Sequence, residues 1–250
     1  MSTKNWDFSS FDGVTLKIHE MGQGRPVILL HGLFSNANTN WIKFGHARAL
    51  ADAGFRVIMP DLRAHGDSAA PHDPVAYPAD VLVKDIRALI EHLELTDFDL
   101  GGFSLGARTT AKLLATGTMP RKAILAGMGL QGLAGWAGRR DFFFQAIDTR
   151  DSAKRGDPHW LAIQFMKSQK IDPVAARLLL GTFSDMDPAE AASIETEILV
   201  LCGSEDDDNG DPEELAAILL NGHYVAIPGT HMSSVTKAEM SQEMVRFLVG

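Results

Sequence analysis

Apolar residues in this chain fall into short unbroken runs that alternate with longer stretches of helical spacing. Pro26-Val27-Ile28-Leu29-Leu30 and Phe55-Arg56-Val57-Ile58-Met59 predict strands, the first buried on both faces. Further runs at 98–101, 123–126, 198–201 and 224–227 continue the series. Between them, Val81, Ile86, Leu89, Ile90 and Leu93 recur at helical spacing, with Asp80 as the cap. Helices are also expected over about 41–53, closed by Gly54, over 107–116, from Pro212 to about 220, and at the end near Phe247-Leu248. Ahead of all this, residues 8–20 alternate around Asp12-Gly13 and predict a type I′ hairpin. Strands that alternate with helices imply an α/β fold, with a mostly parallel sheet of about eight strands and helices on both faces. The rhythm stops from about 130 to 193, where Trp136, Phe142-Phe143-Phe144, Trp160 and Phe165 lie in helix-like pieces broken by Gly and Pro.

Composition narrows the picture modestly. A chain of 250 residues can bury one sizeable core with an insertion. Its net charge of -9 argues against a nucleic-acid partner and against an anionic membrane surface. The start lacks the apolar stretch of a secretory signal, and no run approaches the length of a membrane span, so a cytoplasmic location without membrane insertion is expected. The one cysteine, Cys202, cannot form an intrachain disulfide and reads as a small core residue. The sequence does not indicate an oligomeric state.

Chemistry concentrates just past the strand ends. Gly102-Phe103-Ser104-Leu105-Gly106 is a G-x-S-x-G pattern at a strand-to-helix turn, where the serine is expected at strained positive φ with its hydroxyl exposed. Alone, the pattern recurs by chance. Three other features share its position: His31-Gly32-Leu33-Phe34, the acidic loop Gly203-Ser204-Glu205-Asp206-Asp207-Asp208, and His231 in Pro228-Gly229-Thr230-His231. A serine hydroxyl needs a base to take its proton, a carboxylate to orient that base, and backbone donors for the oxyanion.

On these residues the chain resembles the α/β-hydrolase superfamily, specifically a capped, serine-esterase-like member, over nearly its whole length except the insertion. The resemblance implies an α/β-hydrolase core from 1–129 and 194–250 with an inserted helical cap, or lid, at 130–193. It implies a nucleophile at Ser104, a base at His231, and an acid at Asp206, with Asp207 the alternative one residue on. Elbow glycines fall at Gly102 and Gly106. Oxyanion donors fall on the N–H groups of Leu105 and Leu33, with Phe34 as the neighbour to Leu33. His31 is then structural. His65, in the loop Arg63-Ala64-His65-Gly66-Asp67-Ser68, is architectural, although the family usually has Gly where Ala64 stands. His72 and His159 read as solvated loop histidines.

Two rival motifs carry less. Glu205, Asp207, Asn209 and Gly210 loosely match a calcium loop, but Ala216 stands where a bidentate Glu is required. Gly127-Met128-Gly129-Leu130-Gln131-Gly132 matches G-x-G-x-x-G, yet Gly135 and Gly138 interrupt the helix that should come next. It reads as the flexible exit into the insertion. No cofactor or metal is expected. The expected activity is hydrolysis of a small or medium hydrophobic carboxylic ester through an acyl-enzyme. Lactonase, thioesterase and carbon–carbon bond hydrolase activities, or a triad-bearing small-molecule receptor with slow turnover, remain open because fold and triad do not separate them.

Overall fold

The computed structural model describes residues 2–250. Its strands are β1 (Lys4–Ser9), β2 (Thr15–Gly22), β3 (Arg25–Leu30), β4 (Phe55–Pro60), β5 (Asp99–Phe103), β6 (Lys122–Ala126), β7 (Glu197–Gly203) and β8 (Gly222–Ile227). They form one sheet in the order β1-β2-β4-β3-β5-β6-β7-β8. The two pairings of β2 are antiparallel and every pairing from β3 onward is parallel. This is the mostly parallel eight-stranded α/β sheet that the hydrophobic runs predict.

Alternate residues of the central strands feed opposite layers. Val27, Leu29, Val57 and Met59 pack with Leu50 of α1 (His46–Asp52) and with Met240, Met244 and Leu248 of α11 (Ala238–Val249). Ile28, Leu30 and Ile58 pack instead with Leu82, Ile86 and Leu89 of α2 (Val81–His92) and Leu113 of α3 (Leu105–Ala115). A strand with helices on both faces has no polar side to display, so its sequence is an unbroken apolar run. The α9 helix (Pro212–Ile218) joins the layer on α3's side through Leu215.

Three local expectations are corrected. The first hairpin is not type I′: its loop is Phe11-Asp12-Gly13, with Ser10 N–H bonded to Val14 O, Gly13 N–H to Ser10 O, and only Gly13 at positive φ. That is a type I turn completed by a left-handed glycine. The helix expected over 41–53 is split into a π-helical turn, Asn38–Ile42, and α1, because Gly45 at φ 84° breaks the ladder. Asp80 does not cap α2; it sits at φ 53° with no side-chain cap bond, and its N–H bonds Thr182 O at 3.0 Å.

Between β6 and β7 lie five helices: α4 (Leu130–Ala134), α5 (Trp136–Asp148), α6 (Trp160–Ser168), α7 (Pro173–Leu180) and α8 (Pro188–Ala192). Trp136 of α5, Ile163 and Met166 of α6, Leu180 of α7 and Ile171 just ahead of α7 gather in a separate apolar cluster with Phe34 of the β3 loop, while Leu133 of α4 and Ala191 of α8 pack with α3, β6 and β7. The chain order reverses around β3, with β4 on one side and β5 on the other. Such a reversal opens a crevice at the carboxyl ends of the two flanking strands.

Candidate active site

The crevice between the ends of β3 and β5 is where two of the sequence motifs meet. β5 ends at Phe103, and Ser104 then turns the chain into α3 at φ 53°, ψ -110°. The flanking glycines are required by close approach. A Cβ on Gly102 would overlap the Gly106 carbonyl group, and one on Gly106 would overlap the Leu30 carbonyl oxygen of β3. The start of α3 is thereby pressed against the end of β3, which brings Ser104 beside the Gly32-Leu33 backbone: the Ser104 Cβ lies 3.6 Å from a Cβ position on Gly32.

The β3 loop is held from below by side chains. His31 Nδ1 donates to Gly32 O at 2.8 Å, and its Nε2 accepts from Leu62 N–H at 2.9 Å. His65 Nδ1 donates to Arg63 O at 3.0 Å, and its Nε2 accepts from Phe34 N–H at 3.0 Å. Both rings must therefore be neutral and protonated on Nδ1. Burial drives both away from the charged form, and with His31 alongside, the His65 pKa is pushed down to about 3. The Phe34 N–H is thus already committed, whereas the Leu33 and Leu105 N–H groups donate to no backbone carbonyl among the described residues. Phe34 and Ala64 both lie at positive φ, 58° and 65°. The second value explains the usual glycine at position 64, since a Cβ there is tolerated only with strain.

After β7, the acidic loop sorts its carboxylates by burial. Asp206 is buried, while Asp207 and Asp208 are exposed. His231, at the start of the short helix α10 (His231–Ser234), bonds Asp206 Oδ2 through Nδ1 at 2.8 Å. Its ring lies on Phe103, the residue before Ser104, with centroids 4.8 Å apart. Asp206, His231 and Ser104 thus lie at one edge of the sheet, where the buried Asp206 carboxylate and not the exposed Asp207 carboxylate bonds His231. No hydrogen bond joins the Ser104 hydroxyl to His231 among the described residues; such contacts often tighten only when substrate is bound.

A cleft partly open to solvent reaches Ser104. Leu33, Leu105 and Met128 line it together with Trp136 and Phe143 of α5. Among the described residues, Asp206, Asp208 and His231 form the grouping with metal-ligand atoms in reach of one another, but Asp206 and His231 already bond each other. Asn209 is not free to serve a calcium loop: its Nδ2 donates to Gly127 O at 2.8 Å and its Oδ1 accepts from Arg139. The glycines of the G-x-G-x-x-G stretch serve packing, since side chains on Gly129 or Gly132 would strike Gly210 or Asn209. The stretch leads into the short helix α4.

Sequence reasoning did not find Asp61, Asn40 or Arg139. Asp61 accepts from Ala37 N–H at 2.8 Å and Asp67 N–H at 2.9 Å, and Asn40 accepts from Gly32 N–H at 3.1 Å. Each anchors a loop of the site, Asn40 across eight residues, Asp61 across 24 and Arg139 across 70.

A family model described as alpha/beta hydrolase fold matches residues 25–164. A non-heme chloroperoxidase of Kitasatospora aureofaciens is 35% identical over 117 residues, covering 46% of this chain and 40% of that protein. The curated relatives include proteins named epoxide hydrolase, and the matched segment spans less than half of the length of the first of these relatives. Among solved structures, a hydrolase of Pseudomonas aeruginosa aligns with a TM-score of 0.81 at 21% identity, over 99% of both chains. A malate-bound esterase of Thermogutta terrifontis aligns at 0.76 and 22% identity over 98% of both. At these identities the structural likeness concerns the fold. Among the described residues, no helix is long and apolar enough to cross a membrane.

Proposed function

The chain belongs to the α/β-hydrolase fold family, and on that premise we propose that it is a serine hydrolase cleaving small carboxylic esters. The observation that carries this reading is the buried Asp206 carboxylate bonded to His231 Nδ1 at 2.8 Å, with the imidazole lying on Phe103 next to Ser104 at its strained turn. Asp206 fixes the tautomer that leaves Nε2 free as a base and offsets the imidazolium charge that forms in the transition state. Ser104 Oγ attacks the ester carbonyl while His231 takes its proton. The oxyanion meets the N–H groups of Leu105 and Leu33, each contributing roughly 3–4 kcal/mol in comparable sites. Collapse expels the alcohol, protonated by His231. Water activated by the same base then releases the acid and restores the hydroxyl. Residues 130–193 act as the cap, with Trp136 and Phe143 as its contribution to the roof of the cleft.

The serine at the elbow supports this assignment over epoxide opening, which needs a carboxylate nucleophile at that position. A side chain with no lone pair cannot replace it. Ser104→Ala is therefore expected to abolish turnover of p-nitrophenyl acetate while preserving the melting temperature. Wild-type turnover no faster than that of the variant would refute the proposal.

A further inference from the structure

Arg139, on α5, lines the same cleft as Ser104, and its partners differ from those of the chain's other buried guanidinium groups. Arg63 is paired with Asp12 and Asp85, and Arg25 and Arg121 share Asp99. Arg108 donates to the carbonyls of Gly132, Leu133 and Ser184. Arg139 donates only to the neutral amide oxygen of Asn209 and has no carboxylate within 4 Å among the described residues. Asp206 and Asp208 act on it only through space, while burial works against its charge. A half-buried cation without a counter-ion is costly unless a ligand supplies the missing anion.

A second observation points the same way. The Trp136 indole lines the cleft, is 6% exposed, and its Nε1–H has no acceptor. With the free N–H groups of Leu33 and Leu105, the wall offers a surplus of donors, and no Asp or Glu lines it. The charged groups of the wall itself are Arg108 and Arg139, with Asp206 and Asp208 of the adjoining loop acting on Arg139 through space. Ser104 and Arg139 line one cleft, so one small molecule can touch both.

We propose that the substrate carries a carboxylate in addition to its ester, and that Arg139 is the specificity-determining residue that binds it. This rests on the hydrolase reading of Ser104 and names its substrate class. A guanidinium matches a carboxylate in two parallel hydrogen bonds, and the Nε and Nη2 groups of Arg139 donate to nothing among the described residues.

The test compares monomethyl succinate with methyl 4-methylpentanoate, a neutral ester of nearly the same shape, by methanol release. Wild type is expected to favour the anionic ester in kcat/KM. Arg139→Gln is expected to lower that value 10- to 100-fold, mainly through KM, and to lower the value for the neutral ester by a smaller factor, with an unchanged melting temperature reporting an intact fold. Arg139→Lys should recover part of the loss. Calorimetric binding of monomethyl succinate to Ser104→Ala, lost on adding Arg139→Gln, is the independent arm. Turnover of the neutral ester that depends on Ser104, with no preference for charge dependent on Arg139, overturns the inference and leaves the hydrolase reading standing. Equal losses on both esters in Arg139→Gln also overturn it, reducing Arg139 to a support for the acid loop. Binding that requires Arg139, without turnover of either ester, upholds the anion site and removes the hydrolase reading.

Discussion

Replacing His65 by glutamine isolates what a buried neutral imidazole does to acid stability. His65 is 2% exposed, and its Nε2 lone pair is occupied by the Phe34 N–H. Adding a proton there would set two donors against each other in a dry site. With the folded pKa near 3 and an ordinary value of 6.5, the unfolded chain binds one more proton throughout that interval. Stability therefore rises with pH across this window and is lost as pH falls below 6.5. The loss from this one group reaches about 1.4 kcal/mol at pH 5.5 and about 2.7 kcal/mol at pH 4.5. His31 and His46 are also held below their usual range by burial, so they steepen the wild-type fall in the same direction. Glutamine can accept from Phe34 N–H and donate to Arg63 O without titrating. The assay is urea unfolding of both proteins at pH 7.5, 6.5, 5.5 and 4.5. Asp12, Glu20 and Asp61, all lowered in the fold, add to the fall at the low end of the series in both proteins alike and cancel in the comparison. The variant should lose about 2.7 kcal/mol less than wild type between the ends of the series. Parallel curves, or a flat wild-type curve, would refute a neutral His65.

Other contacts set further expected outcomes. Asp206→Asn should lower kcat on an ester by about 10³- to 10⁴-fold, because an amide donor facing Nδ1 reverses the tautomer, while exposed Asp207→Asn should stay within threefold; the reverse ranking in steady-state kinetics would shift the acid by one residue. Gly106→Ala should destabilise by about 1–3 kcal/mol or more, since its Cβ meets the Leu30 backbone, whereas Gly138→Ala in α5 meets nothing within 4 Å and should stabilise by about 0.5–1 kcal/mol. Thermal melts of the two variants separate these signs. Burial raises the Cys202 thiol to about 12, so it should resist a thiol-specific disulfide reagent at pH 8 until the protein is unfolded. Rapid labelling of the native protein would contradict that.

The sheet was legible because its central strands are enclosed on both faces, and only apolar runs can occupy such positions. The elbow was legible because its glycines answer contacts near in space that also leave a local pattern. Helix 41–53 and the Asp80 cap were misjudged for one reason: the backbone at Gly45 and Asp80 takes left-handed values, and a propensity window cannot see that. The hairpin loop was misjudged because Asp12-Gly13 suits two turn types, and the strand register decides between them. Burial divides Asp206 from Asp207, and nothing in a run of adjacent acids encodes burial. Arg139 carried no signal either. On a helix with interrupted apolar spacing, an arginine that faces a cleft looks the same as one that faces water.

Phe34 gives the insertion a consequence for chain exchange. Its backbone is fastened to His65 beneath the sheet edge, while its ring is buried with Trp136, Ile163 and Leu180 in the insertion's own cluster. The segment 130–193 is thus not a detachable module, although it is continuous in sequence. A chimera that replaced it with a foreign segment would leave an aromatic ring without a socket, one residue beyond Leu33. The true unit of exchange is the insertion together with the β3 loop, two pieces separated by about a hundred residues of chain that must change in concert.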